Sequence, residues 1–128
     1  MKVTDFRFLS DLHLVRYMDQ KDGKLFYLSQ DYYAEFKLDG QMVLYKVPKD
    51  TPTDGPSIPT CVPRWIVDKI GFHFEASVVH DHMCIIRGPY PSKIAAKIFR
   101  AGMRAKGVAE DDVIECYLAV RRFGPQWD

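Results

Sequence analysis

YAEFKLDGQMVLYKV, residues 33–47, decides the fold of the first half of the chain. Two short runs rich in aromatic and β-branched side chains, Tyr33 to Leu38 and Met42 to Val47, flank the dipeptide Asp39-Gly40. Asp-Gly tolerates the left-handed backbone of a two-residue turn, so the stretch predicts a β-hairpin. Working outward, Lys24 to Ser29 (KLFYLS) reads as another strand, Asp22-Gly23 as a turn before it, and Val3 to Leu9 as an edge strand. Asp11 to Met18 is ambiguous in its period. This half is expected to form an antiparallel sheet.

Beyond position 60 the apolar spacing becomes helical. Pro63 to Ile70 stops at Gly71, and Phe74 to Arg87 stops at Gly88-Pro89. Ser92, after Pro91, is the expected cap of a helix running to about Lys106. A last helix opens with Glu110, Asp111 and Asp112 and closes with Arg121 and Arg122 before Gly124, the charge order that the helix dipole favours. The prediction is an α+β fold, an N-terminal antiparallel sheet of hairpins followed by about four helices packed on it. Residues 1–128 are expected to be one domain: mainly strands over 1–50, a proline-rich seam over 51–62, and a helical half over 63–124.

Composition narrows the function classes. With 128 residues, 47% of them hydrophobic, the chain can bury a core without metal or disulfide staples. Eighteen basic and 17 acidic residues leave a net charge of +1, which gives no global field for collecting phosphates and no nucleic-acid signature. No apolar stretch has signal-peptide length or approaches the roughly 20 residues of a membrane span, so the chain reads as soluble and unexported. Cys61, Cys84 and Cys116 are far apart, sit among apolar neighbours and form no CxxC pair, which predicts reduced, buried thiols in a cytosolic setting.

Two stretches stand out chemically. In TDGPSIP, residues 53–59, Pro56 and Pro59 join Pro52 and Pro63 in stiffening the connection between sheet and helices. There Asp54 can make an Asx turn, and Ser57 can bond nearby backbone. In VVHDHMC, residues 78–84, a step of about 100° per residue puts Ala76, Val79, Met83 and Ile86 on one helix face. Ser77, His80, Asp81 and Cys84 share a polar wedge opposite, while His82 falls outside it.

Together with Pro63-Arg64-Trp65, Ala76-x-x-x-His80-Asp81, Ile98-Phe99-x-x-x-Met103 and the Ala119 to Gly124 run AVRRFG, the TDGxSIP segment resembles an uncharacterised phage and prophage family, domain of unknown function 1353. The resemblance covers most of the chain beyond position 40. The family pattern often has an acidic residue three positions before the phenylalanine, where this chain has Ala96. What the resemblance implies is a shared polar group of Asp54, Ser57, His80 and Asp81 in a phage-encoded protein.

Chemically, Asp54, His80 and Asp81 carry donors suited to one divalent ion, zinc, manganese or magnesium, and a water on such an ion could hydrolyse an amide or ester. A metal-free variant would use Ser57 as nucleophile, His80 as base and Asp54 or Asp81 to orient it. Cys84, one turn from His80, is a further nucleophile candidate. The structural alternative is that Asp54 accepts a hydrogen bond from His80 or caps the helix, locking seam to helix as a satisfied buried network.

A second candidate surface is the cationic stripe of Lys93, Lys97, Arg100 and Arg104, read either as a solvated face or as a docking site for an acidic partner. That partner would be another phage structural protein or an anionic envelope polymer. Two functions follow as expectations. One is a non-enzymatic component of the virion or tail, or of its assembly, whose Asp and His-Asp group locks the fold; the other is a small metal-dependent hydrolase acting on the bacterial envelope. The expected location is the bacterial host cytoplasm during synthesis, then the virion for a structural component.

Overall fold

A computed structural model of the chain describes residues 1–21, 24–53 and 74–128. The predicted turn at Asp22-Gly23, the predicted helix from Pro63 to Ile70, and Asp54, Ser57 and Cys61 lie outside the described residues. Those residues form the strands β1 (Val3–Phe8), β2 (Leu14–Lys21), β3 (Lys24–Leu28), β4 (Tyr32–Leu38), β5 (Gln41–Val47) and β6 (Pro52–Thr53). Among the described residues three helices follow, α1 (Phe74–Ile86), α2 (Ser92–Ala105) and α3 (Glu110–Phe123); of the expected four or so, the one from Pro63 to Ile70 lies outside them.

The fold is α+β, antiparallel strands followed by helices, but the strands make two sheets where one was expected. Their orders are β1-β4-β5 and β2-β3-β6. Strand periodicity fixes which face of a strand is buried and says nothing of which neighbour it pairs with. Here β3 pairs with β2 and with the two-residue β6, where Phe26 faces Thr53 and Tyr27 faces Pro52. The ambiguous stretch around Asp11 to Met18 contributes β2, whose Leu14 pairs with Leu28.

The β4–β5 hairpin keeps an unbroken register from Tyr32 opposite Val47 to Leu38 opposite Gln41. Asp39 and Gly40 have φ of 50° and 83°, the left-handed pair that a tight hairpin needs to match the twist of its strands. Along β4, Tyr32, Ala34, Phe36 and Leu38 are buried while the alternate residues are half-buried, so one face of this sheet meets the core.

Helix α1 runs through the middle of the protein. Every residue from Ala76 to Asp81 is buried, so the helix has no solvent face there and both its apolar and polar sides meet protein. It packs on β5, β6 and α2, while α2 also contacts β1 and α3. The α1–α2 crossing is close because Gly102 has no side chain: a Cβ there would stand 3.1 Å from the Cβ of Ala76 and 3.4 Å from the ring of Phe6. Ile86, expected on the buried apolar face, is 49% exposed because it ends the helix beyond the core.

Two local expectations need correcting. Ser92 does not cap α2 with its side chain; Pro91 is the N-cap residue. The Ser92 hydroxyl instead donates to the Trp127 carbonyl at 3.1 Å and accepts from the Trp127 amide at 3.2 Å, while the Trp127 indole donates to the Tyr90 carbonyl at 2.7 Å. The C-terminal segment thus supplies partners that no local pattern announces. The expectation of three reduced thiols also fails, since Cys84 is disulfide-bonded. Cys116 is a buried free thiol, its pKa pushed up to about 12 mainly by burial, with Glu115 and Asp112 adding to it. Spacing in sequence does not say which sulfurs meet. No helix of the described residues is long and apolar enough to cross a membrane.

Candidate functional site

His80 and Asp81 sit side by side on α1, and the helix turns their side chains about 100° apart. Each therefore reaches a different element. Asp81, 1% exposed, accepts a hydrogen bond at 2.8 Å from the hydroxyl of Thr53, itself fully buried in β6. The carboxylate thus ties α1 to the sheet β2-β3-β6. His80, 3% exposed, stacks on Phe99 of α2 with ring centroids 4.9 Å apart and planes 29° from parallel. Its Nδ1 lies 3.7 Å from the sulfur of Cys84, one turn further along α1. Burial lowers the His80 pKa to about 4, so the ring is neutral at neutral pH.

His82 points a third way. Its Nδ1 and the Tyr45 hydroxyl are 2.7 Å apart, and the two rings meet edge to face with centroids separated by 5.7 Å. Burial lowers the His82 pKa as well. The three members of the HDH triplet are thereby shared among α2, β6 and β5. Among the described residues, no group of three His, Cys, Asp or Glu side chains could hold a metal ion. Asp54 and Ser57, the remaining members of the predicted polar group, lie outside the described residues.

Sequence reasoning passed over the residues that meet the pair. Thr53 opens the TDGPSIP stretch that drew attention to Asp54, and its signal was a β-branched hydroxyl residue at the last strand position. Phe99 was visible as part of the Ile98-Phe99-x-x-x-Met103 pattern. All three of those residues are buried, as are Ala119 and Val120 of the last run, so much of the fingerprint is packing. Ala96 is also buried, in the apolar cluster with Ala76, Phe99 and Met103.

The cationic stripe is largely engaged within the chain. Lys97 donates to the Met1 carbonyl at 3.0 Å, and Arg100 lies 4.3 Å above the ring of Tyr117. Arg104 forms a two-pronged ion pair with Glu110, which lowers the Glu110 pKa through the hydrogen bond. Lys93 is exposed at the first turn of α2.

At the level of class, these observations define a small α+β domain built around a helix whose polar pair is buried and shared between two neighbouring elements. The chain belongs to the family described as Protein of unknown function (DUF1353), whose model matches residues 28–120, from the end of β3 to the core residues of α3. It is 33% identical over 117 residues to a protein described as Uncharacterized protein y4jT from Sinorhizobium fredii (strain NBRC 101917 / NGR234), an alignment covering 88% of this chain and 32% of that relative. The chain therefore spans about a third of the relative's length. No solved structure matches.

Proposed function

We propose that this protein is a non-enzymatic component encoded by a phage or prophage, acting in the virion or tail or in its assembly, with the His80-Asp81 pair as a lock on the fold. The observation that carries the lock is the divergence of two buried neighbours: His80 packs on α2 while Asp81 bonds to β6. A polar pair that joins three elements and is almost wholly covered fits a role in specifying one packing, because each buried polar group then has a defined partner. A hydrolytic site needs its groups gathered on one approach for substrate, whereas these two are 3% and 1% exposed. The phage setting follows from the family resemblance, and with it synthesis in the bacterial host cytoplasm and a place in the particle.

The test is to induce the encoding element, purify the particles and measure the copy number of this chain by quantitative mass spectrometry. The proposal expects a fixed stoichiometry per particle and particles that fail to form, or form incomplete, when the chain is deleted. A chain absent from particles and dispensable for their formation, which binds about one divalent ion in a His80-dependent way and hydrolyses envelope polymer, would establish the metal-dependent hydrolase instead.

A further inference from the structure

Helix α3 buries one face and leaves the opposite one bare. At about 100° per residue, the buried Val113, Cys116, Ala119 and Val120 fall on one side, and Asp111, Ile114, Leu118 and Arg122 fall together on the other. Ile114 and Leu118 are 45% and 44% exposed at the centre of that outer face. The charges at its two ends differ in sign. Glu110 is already paired with Arg104 of its own chain, and the Arg121 carbonyl accepts from the side-chain amide of Gln126. Asp111 and Arg122 are exposed and form no ion pair among the described residues.

An acid at one end, a base at the other and two aliphatic side chains between them make a surface that complements itself when turned end for end. We infer that this face pairs with the same face of a second copy, the two α3 helices packing antiparallel about a two-fold axis that crosses between Cys116 and Tyr117. In that register Asp111 of each protomer comes opposite Arg122 of the other, because both stand equally far from the axis. Ile114 and Leu118 of each lie against Leu118 and Ile114 of the other. Packed helices stand about 8 to 10 Å apart, within reach of an arginine side chain, so both ion pairs can close at the rim. Antiparallel axes also set the acidic first turn, Glu110 to Asp112, against the basic last turn, Arg121 and Arg122, and oppose the helix dipoles. A parallel pair would set acid on acid and base on base, so the pattern specifies direction. One helix face covers less than the roughly 800 Å² per partner of a standard interface, so the dimer is weak, with a Kd on the order of 10 to 100 µM. Neither His80 nor Asp81 is on α3, so the inference stands apart from the lock.

The experiment is sedimentation equilibrium of the full chain from about 5 to 300 µM, with circular dichroism to check that each variant is folded. The expected result for wild type is a monomer–dimer equilibrium. Asp111→Arg and Arg122→Asp put like charges opposite one another, so each should raise the dimer Kd at least about tenfold. An equimolar mixture of the two variants should associate about as tightly as wild type, since every facing pair is again acid with base. Leu118→Glu, at a position already exposed, should leave the chain monomeric. Should a charge variant fail to fold, Leu118→Glu against wild type still decides. A wild type that stays monomeric at about 300 µM would overturn the inference and leave the outer face of α3 to a different protein. Dimers that survive both charge reversals and Leu118→Glu would place self-association on another surface, and variants that dissociate without associating when mixed would refute the antiparallel register; either result overturns the inference.

Discussion

Replacing Thr53 with valine nearly preserves its shape and deletes one hydroxyl from a position with no solvent exposure. That hydroxyl donates to Asp81 at 2.8 Å, and Asp81 is 1% exposed, so the carboxylate cannot turn to water when its donor is lost. A buried hydrogen bond to a charged group contributes about 1.5 to 3 kcal/mol, so Thr53→Val should destabilise the protein by about 2 to 3 kcal/mol. At roughly 3 to 5 °C per kcal/mol for a domain of this size, Tm should fall by about 6 to 15 °C. The assay is a double-mutant cycle of Thr53→Val, Asp81→Asn and the pair, followed by urea unfolding and circular dichroism. The singles should be non-additive, with a coupling energy above roughly 1 kcal/mol. If Thr53→Val lies within about 0.5 kcal/mol of wild type, or the two changes simply add, then Asp81 does not fasten α1 to β6 and the lock reading fails.

Other outcomes follow from the same geometry. The folded pKa of His80, about 4, lies below the unfolded value near 6.5, so the unfolded chain binds more protons between them; stability should be full above pH 6.5 and fall toward pH 4 by up to about 3 kcal/mol. Urea midpoints at pH 7 and pH 5 should therefore differ more for wild type than for His80→Gln, and equal slopes would contradict the assignment. Gly102→Ala puts a methyl 3.1 Å from the Cβ of Ala76, which is fixed to the backbone, so overpacking should outweigh the gain in helix propensity and cost about 1 kcal/mol net; a neutral or stabilising alanine would show that the crossing yields. The Tyr32 hydroxyl is buried with no hydrogen-bond partner among the described residues, and burial, then Glu75 and Asp11, raise its pKa, so Tyr32→Phe should leave the thermal midpoint unchanged or raise it. A marked drop would reveal a partner for that oxygen. Added zinc or manganese should leave the Tm of wild type and His80→Ala equally unmoved if the pair is a lock; a His80-dependent rise would point to the metal-dependent hydrolase.

Much of the secondary structure was legible because its causes are local. Asp39-Gly40 announces its hairpin since both residues tolerate the left-handed backbone that the turn requires. Helix limits were readable to within a residue or so, because Glu110 to Asp112 and Arg121-Arg122 suit opposite ends of a dipole and the segment at Gly88-Pro89 cannot continue a helix. The same angular argument separated His82 from His80 and Asp81, since a step of about 100° is a property of any helix.

What the tertiary structure alone decided is which surfaces meet. Periodicity could not tell that β3 leaves β4 to pair with β2 and β6, because a strand's edges carry the same backbone donors and acceptors toward any neighbour. Nor could it tell that Ser92 answers Trp127, that Cys84 is oxidised, or that Asp81 finds Thr53 across 28 positions of sequence. A sequence specifies the direction in which His80 and Asp81 leave their helix, but their partners, the near-complete burial of both side chains and the lowered pKa of His80 arise only when sheets and helices close around α1. Desolvation and hydrogen bonding between distant residues depend on that closure, since burial is a property of the packed whole.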